Sequence, residues 1–266
     1  MLRVVGRRPD GYHLLQTVFQ FIDLGDLLHF APRRDGQVRR LDPLAGVPAE
    51  SDLTVRAARL LQSACRVDQG VDIGLVKRIP LGGGLGGGSS DAATTLVALN
   101  QLWDCGLTVP DLMALGLRLG ADVPIFIHGR ASWAEGVGEV LEDVELPEPV
   151  YAVFAPDCRV DTGEIFQDSE LTRNSPRITI RDFAAGLGGN DCLPVVRRRH
   201  PAVAQLFDWL NERHEARLTG TGACVFAACA DRDRAEALVA ARPASVQGFV
   251  AHGLNRSPLL DGPVPC

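Results

Sequence analysis

Lysine is nearly absent from this chain. Of its 27 basic residues only Lys77 is a lysine, and the remaining 26 are arginine. A mechanism that needs a catalytic lysine therefore has one candidate here or none. Paired cysteines are also lacking. Cys65, Cys105, Cys158, Cys192, Cys224, Cys229 and Cys266 are odd in number and widely scattered, and none forms a CxxC pair. That spacing argues against zinc and dithiol redox chemistry and favours packed, reduced thiols in a reducing compartment. No long apolar run is present, and Met1 to His13 carries Arg3, Arg7 and Arg8 without a leader-like stretch. The expected location is the cytoplasm. Positive charge is not in excess either. The net charge is −6 at pH 7, which argues against nucleic acid or an anionic membrane as a partner.

What is present is ample for a folded enzyme. The 266 residues are 46% hydrophobic, with 28 glycines and 17 prolines, enough for one or two domains with a core that needs no disulfides. Leu2, Val4 and Val5 predict the end of a strand, and Gly6 to Gly11 a turn. Leu14 to Asp26 is apolar without a period that separates helix from strand, and Arg33 to Arg40 reads as a surface turn or exposed strand. Leu53 to Cys65 predicts a helix with Leu53, Ala57, Leu60 and Leu61 on one face and Ser51 as its cap. Val71 to Val76 alternates as a strand. Further helices are expected from Ala92 through Trp103 and from Asp111 to Leu119, and an apolar strand within Ala121 to Ile127. After Leu146-Pro-Glu-Pro149 come a buried strand, Val150 to Ala155, and helices near 202–213 and 232–241. Helices and strands alternate without a regular βαβ repeat, so the expected class is α+β. The expected domains are 1–148 and 149–266.

The densest signal lies between strand and helix. Six of the seven residues from Gly82 to Gly88 are glycine, and such a loop lets backbone N–H groups close around an anion. Ser89 and Ser90 stand where a helix begins, so the partial positive charge of the helix N-terminus adds to the site. A chain of negative net charge can thus hold a polyphosphate locally. No Gly-Lys-Ser/Thr follows the glycines, which excludes a Walker loop. A dinucleotide fingerprint fits Gly82, Gly84 and Gly87, but so dense a run fits almost any register. An oxidoreductase would also need an acidic residue closing a second strand some twenty residues on. Asp104 follows a helix end instead.

Pro80 to Ala93 resembles the phosphate-binding motif of the GHMP small-molecule kinases. Gly6-Arg-Arg-Pro-Asp-Gly-Tyr-His-Leu-Leu-Gln-Thr17, Leu119-Gly-Ala-Asp-Val-Pro124, Ala134-Glu-Gly-Val-Gly-Glu139, Gly189-Asn-Asp-Cys192 and Leu218 to Phe226 resemble, in the same order, the branch that acts on cytidine diphosphate methylerythritol. The resemblance implies a two-domain GHMP fold, with a ribosomal protein S5 domain 2-like first part and a ferredoxin-like second part. It further implies ATP-dependent phosphorylation of the 2-hydroxyl of this small-molecule substrate in non-mevalonate isoprenoid biosynthesis, by a monomer or weak homodimer. Pro80, Leu81, Gly82, Gly83, Gly84, Leu85, Gly86, Gly87, Gly88, Ser89 and Ser90 would wrap the ATP phosphates. Asp122 would be the catalytic base. Tyr12 and His13 would recognise cytosine, with Phe166 as a second aromatic wall and Thr162 near the substrate phosphates. Gly220, Thr221 and Gly222 would form a second glycine loop on the phosphate side. Magnesium would accompany ATP, with Ser90 as its first candidate ligand and Glu135 a weaker one.

The sequence departs from that family in three places. Its members ordinarily begin with a strand bearing Pro-Ala-Lys-Leu-Asn, and Met1-Leu-Arg-Val-Val5 matches only the end of it. The expectation is that Met1 lies downstream of the native start; the alternative is a weakly active or non-catalytic nucleotide-binding relative. Lys77 is either a strand-end surface charge or an ATP contact. Asp52 stands where relatives often carry asparagine on the nucleotide side.

Overall fold

Alternation of inward and outward side chains along Leu2–Arg7, with Leu2 and Val4 buried, makes the first strand of a computed structural model that describes residues 1–262. Cys266 lies outside the described residues. The chain forms two compact units, each assembled from separated segments. One comprises Met1–Leu24, Pro80–Leu85 and Ala131–Asn255; the other comprises Gly25–Ile79, Gly86–Arg130 and Arg256 onward. These interleaved units do not follow a division at 148/149.

The first unit contains two antiparallel sheets. Leu2–Arg7, His13–Phe19, Ser132–Glu135 and Val140–Asp143 lie in that order in one. Its first turn passes through Gly11 at φ 92°, a conformation that favours glycine. The outer side of Leu2–Arg7 is occupied: Leu2 N–H donates to Gly189 O, and Val4 N–H donates to the Asp191 carboxylate. The second sheet runs Arg217–Leu218, Val225–Cys229, Val150–Ala155, Gln247–Leu254 and Phe21–Ile22. Helices Leu193–Arg199 and Pro201–Asn211 supply Val195, Val196, Val203, Leu206 and Leu210 to a core with Phe154, Ile165 and Val225.

The second unit has a three-stranded sheet in which Gly70–Val76 lies between Leu27–Arg33, antiparallel, and Val38–Arg40, parallel. Helices Leu53–Cys65, Gly87–Leu102, Val109–Leu117 and Val123–His128 pack Val55, Leu61, Leu96, Leu99, Leu112 and Ile127 against Val71 and Ile73. Among the described residues no helix is long and apolar enough to cross a membrane. Six cysteines are free, and burial pushes the Cys192 and Cys224 thiols up to about 12.

Three local expectations need correction. Ala121–Ile127 is not a strand; Val123–His128 is helical. Pro124 sits in its first turn, where a missing N–H costs nothing, and Gly129 closes it in the left-handed conformation. The helix expected from Asp111 begins at Val109, because Thr108 and Asp111 form a reciprocal capping box. The cap of Leu53–Cys65 is Asp52, not Ser51.

Asp52 accepts from Thr54 N–H (2.7 Å), Thr54 Oγ1 (2.6 Å) and the Arg40 guanidinium (2.6 Å). Both partners of the ion pair are almost fully buried. Replacing Asp52 by Ala strands a buried guanidinium and should destabilise the protein by about 3–5 kcal/mol. Asp52→Asn retains the cap and should cost less. Urea denaturation midpoints of the two variants check the order, which an uncapped or solvated Asp52 would not produce.

Candidate active site

The glycine-rich segment begins in the first unit, where its backbone is held by a second glycine segment. Cys224 N–H (3.0 Å) and Thr219 Oγ1 (2.7 Å) both donate to Gly83 O. Gly84 sits at φ 69°, and a Cβ there would collide with Gly222 O and would lie 2.9 Å from Thr219 Oγ1. Only glycine permits that approach. Pro80–Leu85 and Gly220–Gly222 are thereby brought together. Thr221 and Thr162 share a hydrogen bond of 2.8 Å between their hydroxyls, although 59 residues separate them. Asn190 Nδ2 donates to Gly220 O at 2.7 Å and fixes the turn.

The second unit takes the segment from Gly86 onward. Gly86, at φ 69°, caps helix Gly87–Leu102 without any side-chain cap bond. The first N–H groups of an α-helix have no carbonyl ahead of them and are available to an anion. Ser89 and Ser90 lie in this first turn, partly exposed, and the Ser89 hydroxyl comes close to Gly120.

Lys77 is not a surface charge: it is largely buried, beside Gly87 of the glycine loop. Its ammonium lies 2.5 Å from Asp26 Oδ2 and 2.7 Å from Asp91 Oδ2, and all three side chains are largely buried. Asp26 Oδ1 also accepts from Arg78 and Ile79 N–H. Asp91 belongs to the first turns of the glycine-loop helix, so Lys77 clamps that helix to the residue preceding strand Leu27–Arg33. Burial raises the Asp91 carboxyl to about 7 against the opposing pull of Lys77. The same two aspartates outweigh the effect of burial on Lys77 and keep it protonated.

Asp122 is the contrasting carboxylate. It immediately precedes helix Val123–His128, caps no N–H with its side chain, and has no hydrogen-bond or ion-pair partner among the described residues. Solvent reaches it, yet enough protein surrounds it for desolvation to raise its carboxyl above the ordinary range. Access decides whether a hydroxyl can meet it. The arrangement is a reachable carboxylate without a hydrogen-bond or ion-pair partner among the described residues.

The proposed base-binding residues group in the first unit. Tyr12 is 63% exposed at the end of the Arg8–Tyr12 turn. His13 stacks on Phe166, with ring centroids 5.1 Å apart and planes at 24°. Arg173, which sequence reasoning missed, donates from Nε to His13 Nε2 at 3.1 Å. The signals for Arg173, Asp26 and Asp91 are long-range pairings that no local pattern carries.

Glu135 does not offer a metal site. Its oxygens accept from Gln16, Trp133 and Arg177, which leaves Ser90 as the candidate. Among the described residues no group of three or more His, Cys, Asp or Glu side chains could hold an ion by itself.

The fold is that of a GHMP kinase: the GHMP kinases N terminal domain model matches residues 52–130, and the GHMP kinases C terminal model matches 171–246. The two matched segments fall on either side of 148/149. A solved structure of 4-(cytidine 5'-diphospho)-2C-methyl-D-erythritol kinase superposes with a TM-score of 0.80 at 32% identity, covering 95% of this chain and 94% of that one. A mevalonate kinase structure shares the fold, with a TM-score of 0.68 at 14% identity over 93% of this chain and 94% of its own. The 4-diphosphocytidyl-2-C-methyl-D-erythritol kinases of Nitrosococcus oceani and Pseudomonas paraeruginosa are 55% and 56% identical to it. Those alignments cover 98% and 97% of this chain, and 93% and 92% of the relatives. This chain belongs to the 4-diphosphocytidyl-2-C-methyl-D-erythritol kinase family.

The Asp91 carboxyl, raised in the folded protein, makes folding proton-linked with a definite sign. Between the ordinary carboxylate value near 4 and about 7 the folded state binds the extra proton, so this group's contribution to stability declines as pH rises through that window. The stability of the wild type relative to Asp91→Asn should therefore fall from pH 5 to pH 7.5. Urea midpoints of both proteins across that range provide the check, and a constant difference would contradict it.

Proposed function

We propose that this chain transfers the γ-phosphoryl group of ATP to the 2-hydroxyl of 4-(cytidine 5'-diphospho)-2-C-methyl-D-erythritol, a step of the non-mevalonate route to isopentenyl diphosphate. Full-length relatives at 55% and 56% identity that carry this kinase name support the catalytic reading over that of a non-catalytic nucleotide-binding protein. The single observation that carries the chemistry is Asp122: a reachable carboxylate without a protein partner.

Pro80 to Ser90 cradle the ATP phosphates. Their contribution is the free N–H groups of the helix start and backbone that no Cβ obstructs. Thr162, Thr221 and the Gly220–Gly222 turn serve the phosphate side of the reaction. The substrate hydroxyl oxygen bonds to the γ-phosphorus as the bond from that phosphorus to the β,γ-bridging oxygen breaks. The hydroxyl proton passes to Asp122, and ADP departs. A carboxylate is a weak base for an alcohol, so alignment supplies most of the effect and the proton moves late. Ser90 is the residue that would contribute to holding a magnesium ion accompanying ATP, which would supply neutralisation of the phosphate charge.

Tyr12 offers an exposed face on which cytosine stacks, and His13, backed by Phe166, reads the edge of the base. Stacking of a base on an aromatic side chain contributes about 1–3 kcal/mol. Tyr12→Ala should therefore raise the KM for the cytidine substrate about tenfold or more while leaving the KM for ATP nearly unchanged. Steady-state kinetics with each substrate varied in turn would expose the opposite case, in which both rise together.

Asp122 must be ionised to accept a proton, and its raised carboxyl displaces the acid limb of activity upward. The pH profile of kcat/KM should fall on acidification at a higher pH than an ordinary carboxylate near ~4 would give. Asp122→Asn should lower kcat by about 10²–10⁴-fold without unfolding the protein. ADP release coupled to a spectroscopic assay, with circular dichroism of the variant, measures both. Near-normal turnover of Asp122→Asn would remove Asp122 from the mechanism.

A further inference from the structure

The guanidinium of Arg173 is held by four acceptors. Nε donates to His13 Nε2 at 3.1 Å, NH1 to Leu171 O at 3.1 Å, and NH2 to Phe166 O at 2.8 Å and Asp168 O at 2.7 Å. The carbonyls come from the C-terminal part of helix Thr162–Gln167 and the segment just after it, so one rigid fork ties this stretch to a histidine 160 residues away in the chain. Arginine cannot accept a hydrogen bond and does not lose its proton in a protein. The nitrogen it faces must therefore present a lone pair.

We propose that Arg173 is a positioning residue that sets base specificity: by donating to Nε2 it holds His13 as the Nδ1–H tautomer, so the imidazole offers the substrate's base a donor and no acceptor. This rests on the reading of His13 as a base-recognition residue. The ring has little freedom to escape the assignment, since it is stacked on Phe166 at 5.1 Å. Its charged surroundings act in the same sense. Arg7 lies opposite His13 in the hairpin register and Arg173 lies on the other element packed against it. Burial first, and then these two cations, keep the imidazole below its ordinary range and therefore neutral.

The consequence is selective. At the Watson–Crick edge cytosine presents N3 and O2, which both accept. Uracil also presents O2, and O4 besides, as acceptors, but its N3 carries a proton, so N3 accepts in cytosine and donates in uracil. A histidine fixed as a donor toward N3 matches cytosine and opposes uracil. A histidine free to exchange its proton between nitrogens would match either. Arg173 thus discriminates between cytidine and uridine diphosphates without touching the base. An unsatisfied donor or a donor–donor encounter at such a site corresponds to about tenfold or more in affinity.

Nitrogen-15 NMR of the imidazoles in the full chain, with His13 assigned through His13→Gln, tests the assignment directly. Calorimetric titrations with CDP and with UDP test its consequence. In the wild type His13 should be the neutral Nδ1–H tautomer, and CDP should bind about tenfold or more tighter than UDP. In Arg173→Ala the imidazole should titrate at a higher pH than in the wild type and as a mixture of tautomers, and the preference for CDP should fall about tenfold while ATP affinity holds. An Nε2–H tautomer in the wild type, equal binding of CDP and UDP, or a preference unchanged in Arg173→Ala would overturn the proposal. The wild-type arms decide it even where the variant fails to fold. Release of ADP from ATP and the cytidine substrate is read separately, so a failure of the kinase reading is distinguishable from a failure of the histidine assignment.

Discussion

One ammonium group shared by two buried carboxylates anchors the helix that follows the glycine loop. Asp26 and Asp91 converge on Lys77 at 2.5 and 2.7 Å, and neither aspartate would tolerate burial without it. Removing one partner of a buried ion pair costs about 3–5 kcal/mol, because the remaining charge is left unsolvated. The clamp grips the helix through Asp91, one turn inside its start, and so leaves the first N–H groups unobstructed. A conventional side-chain cap would occupy those donors. Gly86 supplies no such cap, and the helix is held from beneath instead.

The aspartates of this chain divide by what surrounds them. Asp52 caps a helix and neutralises Arg40; Asp91 and Asp26 hold Lys77; Asp168 accepts from Arg198 and Arg199. Each is held in place by its partners. Asp122 has none among the described residues, and that isolation leaves its lone pairs uncommitted. The same logic distinguishes Glu135, a motif residue whose oxygens are already engaged, from a carboxylate open to a metal ion.

What the sequence reveals depends on how local the cause is. The glycine loop and the helix after it were legible because backbone freedom and helix start are written into neighbouring residues. Helix Leu53–Cys65 was legible from its period, though its cap was misplaced by one residue because Ser51 and Asp52 are both good cap residues. A short apolar run does not distinguish helix from strand, so Ala121–Ile127 reads as a strand, although Pro124 fits the first turn of helix Val123–His128. The environment of Lys77 and the fork on His13 were beyond reach. Their partners lie 51 and 160 residues away, and no period or motif encodes a pairing over that distance. The resemblance located Asp122, but only the structure shows that it stands without a partner.

The interleaving of the two compact units bears on how the protein is made. The chain passes from one unit to the other within the glycine loop itself, between Leu85 and Gly86, and crosses again near residues 24, 79, 130 and 255. Leu2 and Val4 belong to the same core as Val225 and Ala235, far later in the chain. That core cannot close until most of the chain has been synthesised, and a cut at 148 would take Leu2 and Val4 away from it, whereas the buried residues of the other core, Val38 to Ile127, all precede the cut. Expression of 149–266 alone would therefore expose apolar surface to the chaperone machinery, and the first core is finished only within one translation product.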